Sequence, residues 1–378
     1  MPGFARAEPK TVHNKTGNLK GESKRMEKRT IYRGVLCLML TAVLSLGFIL
    51  TPGVSYAKKQ IELSFAMYIP PKSSPYRGAM LPWAKEVEKR TNGRVKITFY
   101  MSQTMVKARD SYDAVVNGIA DISWASHSLT PGRFPLTSVM ELPFMSPNTF
   151  VGAHALTDLY AKFPEIRAEH KDVHILNLWV TLPYELHMVD TSVKRLEDVK
   201  GLKIATQSAA RAALEGMGAV PVTMGTPKIY QSVEKGVTDG SALAWGAFNT
   251  WKLYEVTRYH TNAHLGGVCY WTAMNKKTWE SLPEDIRKVF TDVSAEMLPD
   301  AICTAVSGEM QKGIERVTKR GDEVIDLSGD EIARWRETAK PAWEKWVKDM
   351  EAKGLPGQAV LDEAVRLVEK YSPQYMGK

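Results

Sequence analysis

Aromatic residues recur where predicted strands end: Trp124 closes one, Trp179 another and Trp245 a third, while Tyr270 and Trp271 lie in a fourth. In α/β proteins ligands collect at such ends. Flat aromatic faces bury a small organic molecule at little entropic cost and leave a few polar groups to orient it. Tyr184, Thr206, Gln207, Ser126 and His127 are the polar groups expected there, and Tyr68 and Phe144 join the candidate contacts. Each aromatic residue alone reads more readily as core. Their recurrence at equivalent positions is what points to a pocket, and the chemistry expected of it is capture.

Conversion would need a catalytic constellation, and none is found. The chain has no Walker A loop, no His-Glu-x-x-His, no Gly-x-Ser-x-Gly and no Cys-x-x-Cys. Gly216-Met217-Gly218 resembles part of a dinucleotide loop but follows a predicted helix and lacks the third glycine. His170 with His174, and His260 with His264, are spaced four apart, yet neither pair has an obvious third ligand. Solvated or structural histidines are the expectation. The sequence therefore implies no cofactor, no metal and no enzyme.

The elements that must position these residues alternate. Residues 61–67 alternate as a half-buried strand, 79–91 form an amphipathic helix closed by Asn92-Gly93, and 94–100 is the next strand. Helix 110–118 and strand 120–124 follow, so the order argues for an α/β fold with a largely parallel sheet. A second cycle runs through strands 173–179, 184–189 and 202–206, helix 209–216, strand 221–224, helix 228–235 and strand 239–244. Beyond strand 268–274 the chain is mostly helix, at 283–289, 292–319 and 330–353. Pro341 should kink the last, whose Ile332, Trp335, Trp343, Trp346 and Met350 share a packing face.

The first 57 residues read as a secretory leader. A basic stretch ends at Arg33, the uncharged apolar run 34–50 follows, and Ser55-Tyr56-Ala57 offers small residues to a signal peptidase. The run of roughly 17 residues is short of the ~20 a membrane span needs. Met26 would give a more ordinary leader, and Cys37, preceded by Leu36, is badly placed for lipid attachment. Export implies the periplasm. The formal charge of +8 belongs largely to the leader, for residues 58–378 hold 41 basic and 39 acidic side chains. A net +2 implies no nucleic-acid partner. Cys269 and Cys303 could pair in an oxidising compartment, but two buried thiols are the preferred reading. About 320 remaining residues exceed what one core usually holds, so two domains are expected.

The chain resembles the periplasmic solute-binding subunits of tripartite ATP-independent periplasmic (TRAP) transporters, the dicarboxylate-binding-protein-like family. The resemblance runs from about Ile61 to the helix after Trp279. Its carriers are Trp83-Ala84-Lys85-Glu86-Val87 with Gly93-Arg94-Val95, Val116-Asn117-Gly118-Ile119-Ala120-Asp121-Ile122, Gly132-Arg133-Phe134-Pro135 and Glu141-Leu142-Pro143-Phe144. Asp198-Val199-Lys200-Gly201-Leu202-Lys203-Ile204, Met217-Gly218-Ala219-Val220-Pro221-Val222, Tyr230, Gly236-Val237-Thr238-Asp239-Gly240, Tyr254-Glu255-Val256-Thr257 and Met274-Asn275-Lys276-Lys277 continue it in order. The resemblance implies a two-lobed α/β binding protein with hinge strands and a long helix crossing both lobes, closing over one small molecule and delivering it to the TRAP permease membrane subunits. Lobe I would comprise 58–183 plus 265–305, and lobe II 184–264 plus 306–378.

One departure stands out. Many members carry, directly after Gly-Leu-Lys-Ile, an arginine that forks onto the ligand's carboxylate; here that position is Ala205. A second familial arginine also has no match, with Thr191 nearest. Either Arg133 or Arg211 takes over as the base, or the ligand is neutral or cationic and held by aromatic faces. Arg133 reads somewhat better as a lobe-stabilising residue. Glu185 could balance a cation, although a solvated strand residue is the plainer reading.

Overall fold

The computed structural model describes residues 60–375, leaving aside the side chains of residues 208, 209 and 227. The leader and Cys37 lie outside the described residues. The described residues form one compact unit built on two mixed sheets.

The first sheet has the order β2-β1-β3-β10-β4, from β1 (Ile61–Met67), β2 (Val95–Tyr100), β3 (Ile122–Ser126), β4 (Val173–Val180) and β10 (Cys269–Asn275). β1 pairs in parallel with β2 and β3, whereas β10 runs antiparallel to β3 and β4. The second has the order β11-β9-β5-β8-β6-β7, from β5 (Glu185–Met188), β6 (Lys203–Thr206), β7 (Val220–Thr223), β8 (Gly240–Leu243), β9 (Tyr259–Asn262) and β11 (Glu323–Asp326). Here β5 is antiparallel to both neighbours. The sheets are thus mixed where a largely parallel arrangement was expected, because in each the returning strand is antiparallel. Each sheet ties two parallel neighbours with the same device, an aspartate just before one strand that accepts from a backbone N–H of the other: Asp121 from Ser64 N (2.9 Å), and Asp239 from Lys203 N (2.7 Å).

The chain passes between the sheets three times, and the connections after β4 and before β10 run side by side. Thr181 N donates to Val268 O (2.9 Å), Tyr184 N to Gly266 O (2.8 Å) and Leu265 N to Tyr184 O (2.9 Å). Gly266 adopts φ +109°, and a Cβ there would stand 3.2 Å from Leu142 O, so a side chain is excluded on both counts. Glu185 is buried at this crossing, where its carboxylate accepts the backbone N–H groups of Ala263 and His264 (2.8 Å to the latter). It is a hinge tie, not a solvated strand residue.

Helix Glu284–Arg320 extends over 37 residues, about 55 Å at 1.5 Å per residue. Phe290, Val293, Leu298 and Ile302 enter the core beneath the first sheet, and Val317 enters that of the second. Trp83 Nε1 donates to Ser294 Oγ (3.1 Å) at one end, and Asn249 Nδ2 to Glu309 O (2.7 Å) at the other. Gly313 lets the helix pass Trp245, whose ring would lie 2.9 Å from a Cβ. The two helices expected at 283–289 and 292–319 are therefore one, with Pro299 tolerated inside. Conversely, the helix expected over 330–353 is two, Gly329–Glu337 and Lys340–Glu351. Pro341 sits in the second one's first turn, where its missing N–H costs nothing, so it begins a helix instead of kinking one. The C-terminal helix Gly357–Tyr375 packs on Thr149–Lys162, with Val360 and Leu367 in the first sheet's core. The expectation that all of 306–378 joins the second lobe does not hold for these last residues.

Among the described residues no helix is long and apolar enough to cross a membrane. Cys269 and Cys303 are separate, buried free thiols.

Candidate ligand-binding site

At one end of the first sheet four aromatic rings meet. Trp124 on β3, Trp179 on β4 and Tyr270 on β10 share a face because Tyr270 is paired with both Ser126 and Trp179, and side chains two apart on a strand point the same way. The Trp124 and Tyr270 ring centres are 4.6 Å apart, those of Trp179 and Tyr270 4.9 Å, and Tyr68, just past β1, stacks on Trp124 at 5.5 Å. The two indoles are buried, while Tyr68 and Tyr270 keep partial exposure. Their phenolic oxygens are 3.1 Å apart. Ser126 Oγ lies 2.8 Å from Ser128 Oγ. The indole N–H groups of Trp124 and Trp179 have no hydrogen-bond partner among the described residues, an unusual state for buried donors.

The second sheet contributes the polar counterpart. Tyr184, at the hinge crossing, donates its phenol proton to Gln207 Oε1, and Gln207 Nε2 donates to Thr226 Oγ1 (2.8 Å). Gln207 lies at the N-terminal cap of helix Ser208–Gly216, immediately after β6. Burial raises the pKa of Tyr68, Tyr184 and Tyr270, and each feels at least one of the other two. All three phenols therefore remain protonated hydrogen-bond donors at neutral pH. Glu141 acts on Tyr184 and Tyr270 as well. Its Oε1 accepts from Cys269 N (2.8 Å), and burial pushes its carboxyl up to about 7.

The other candidate residues lie elsewhere. Trp271 faces the opposite side of β10 and packs edge-on against Tyr112 at 5.3 Å. Trp245 opens a helix, donates to Asn262 Oδ1 (3.2 Å) and packs on His187 and Phe248 in the second sheet's core. Thr206 is fully buried, its hydroxyl donating to Ala242 O (3.1 Å). Phe144, with φ +60°, lines a separate cavity of about 620 Å³ between Trp343, Arg336 and the C-terminal helix. That cavity contains none of the clustered aromatic residues. Arg133 pairs with Asp113 (2.6 Å) and lies over the Tyr112 ring, 4.4 Å from its centre. Arg211 pairs with Glu215 (2.8 Å) on an exposed helix turn. Neither arginine reaches the aromatic cluster, and Ala205 is buried. His127 Nε2 lies 3.0 Å from His170 Nε2, and His260 is in β9, 3.1 Å from His187 Nδ1 to Nδ1. Among the described residues no group of three or more metal-ligating side chains forms. Glu141 is the residue that sequence reasoning passed over, although it stands inside the Glu-Leu-Pro-Phe segment.

Residues 65–349 match the DctP family, described as bacterial extracellular solute-binding protein, family 7. The chain belongs to this family. It is 26% identical over 300 residues to the C4-dicarboxylate-binding periplasmic protein DctP of Rhodobacter capsulatus, covering 78% of this chain and 89% of that protein. A TRAP solute-binding protein of Rhodoferax ferrireducens, solved with copurified benzoate, is 28% identical with a TM-score of 0.76, over 83% of this chain and 99% of that one. A marine metagenome TRAP protein specific for aromatic acid ligands, solved with 3-hydroxybenzoate, gives 27% and 0.76 over the same shares. This DctP-family chain is therefore a TRAP solute-binding protein and not an enzyme. It captures a small organic molecule outside the cytoplasm, and its kind works with membrane permease subunits.

Proposed function

We propose that this protein binds a small aromatic carboxylic acid in the periplasm, after removal of its leader, and delivers it to the membrane subunits of a TRAP permease. The observation carrying this reading is the stack of Trp124, Trp179 and Tyr270, with Tyr68 beside it. Such a stack provides flat apolar surface suited to a planar ring. In this reading Tyr184 and Gln207, hydrogen-bonded to each other on the side of the second sheet, meet the polar end of a ligand that both lobes contact. A molecule touching both lobes favours the closed form by its differential affinity, which is what a permease can recognise. Similarity to two proteins solved with benzoate and 3-hydroxybenzoate supports the ligand class.

The test is a thermal-shift and calorimetric screen of the protein purified from the periplasm. Benzoate, 3-hydroxybenzoate and mandelate are compared with succinate and galactonate. At about one hundred times its dissociation constant a true ligand adds about 2.7 kcal/mol of stability. Stabilisation by succinate or galactonate and not by the aromatic acids would overturn the reading.

A further inference from the structure

An aromatic acid brings a negative charge into a cleft where, among the described residues, no lysine or arginine hydrogen-bonds to Tyr68, Tyr184, Gln207 or Tyr270. The position that holds arginine in many relatives is the buried Ala205, and Arg133 and Arg211 are paired elsewhere. The carboxyl of Glu141 stands beside the cleft: its Oε1 accepts from the N–H of Cys269, the residue next to Tyr270 (2.8 Å), and both Tyr184 and Tyr270 feel its charge. Two ionised carboxylates cannot share a low-dielectric site, but one proton between them makes a strong, charge-assisted hydrogen bond.

We infer that Glu141 takes over from the missing arginine as a specificity-determining residue: it is protonated in the complex, donates that proton to the ligand's carboxylate, and so couples binding to uptake of one proton. This rests on the aromatic-acid reading above. Glu141 is held for the role by Cys269 N, which occupies Oε1 and leaves Oε2 with no partner among the hydrogen bonds of the described residues. Its surroundings oppose ionisation. The titratable groups around it are the phenols of Tyr184 and Tyr270 and the thiol of Cys269. Beyond Cys269 lie the His127 imidazole, kept neutral by burial, and the Glu169 carboxyl. None is a cation that would hold Glu141 charged, and its carboxyl is raised to about 7 before any ligand arrives.

Calorimetry with benzoate and 3-hydroxybenzoate, at pH 6.0 and 8.5 and in phosphate and Tris buffers, measures both affinity and protons taken up. The expected result is weakening by about tenfold per pH unit above 7 and uptake approaching one proton at pH 8.5. Glu141→Gln supplies an amide donor that does not titrate, so its affinity should be independent of pH with no uptake. Equal wild-type affinity at both pH values without proton uptake would overturn the inference and leave the aromatic-acid reading standing. No binding of either acid at pH 6.0, where Glu141 is already protonated, would remove the reading itself.

Discussion

The phenolic oxygens of Tyr68 and Tyr270 lie 3.1 Å apart although 202 residues separate them in the chain. Their meeting depends on β1 and β10 both flanking β3, which brings the exit of one strand beside the entrance of the other. Tyr270→Phe keeps the ring stacked and removes only the hydroxyl. The expected outcome is a loss of about 3- to 10-fold in benzoate affinity, the worth of one hydrogen bond, with the ring contacts retained. Titration calorimetry checks it. An unchanged affinity would place the polar end of the ligand away from this pair.

Trp124 touches Tyr68, Trp179 and Tyr270, so it is the centre of the stack. Trp124→Ala should cost about 3–5 kcal/mol of stability and abolish aromatic-acid binding. Denaturant unfolding gives the first quantity and a binding assay the second. Trp245→Ala should produce a similar stability loss with a much smaller effect on ligand affinity, since Trp245 sits in the second sheet's core. Equal binding losses in the two variants would argue against a site at the first sheet's edge.

Arg133 and Arg211 are partly exposed and engaged with Asp113 and Glu215. Exposed pairs of this kind contribute about 0–1 kcal/mol. Arg133→Gln and Arg211→Gln should therefore leave ligand affinity within about twofold of wild type. A tenfold loss in either would restore that arginine as a carboxylate partner.

Burial holds His170, His174 and His260 each down to about 4. Unfolding returns them toward about 6.5, so the unfolded chain binds more protons between those values. Their stabilisation is complete above about pH 6.5, is lost as pH falls toward 4, and changes no further below. Glu141 works in the opposite sense, favouring the fold at low pH and losing that effect as pH rises from 4.5 to about 7. His127 and His187, also depressed by burial, act with the histidines, while Glu169 and His264, both raised, act with Glu141; the five depressed histidines outnumber these three groups, so the melting temperature should fall from pH 6.5 to 4. Thermal unfolding across pH 4–8 without ligand checks this, and a rise toward acid would contradict it.

The α/β order and most strand positions were legible because the strands are short apolar runs bounded by turn residues, such as the fully buried Ile122–Ser126, and because β2 alternates, with Val95 and Ile97 facing inward. Tyr270 and Trp271 mark the limit. Period two says that only one of them can face the cleft, but the choice depends on the pairing of β10 with β3, which adjacency in sequence does not encode. Trp245 was misplaced for a related reason: β8 ends at Leu243, and Trp245 opens the following helix, which turns its ring into the core. Glu141 was invisible because its meaning comes from the N–H of Cys269, 128 residues away. Arg133 could not be assigned from sequence, because its partner Asp113 lies 20 residues earlier and only the fold brings the two together.

Tyr184 is bonded through its backbone to Gly266 and Leu265 in the neighbouring connection, and through its phenol to Gln207. At the proposed site this one residue would serve as both axle and fingertip. A solute that displaced its ring there would act directly on the strap joining the halves, with no relay between sensing and movement. Changes that loosen this residue should degrade the contrast between filled and empty protein before they degrade the ability to hold a solute.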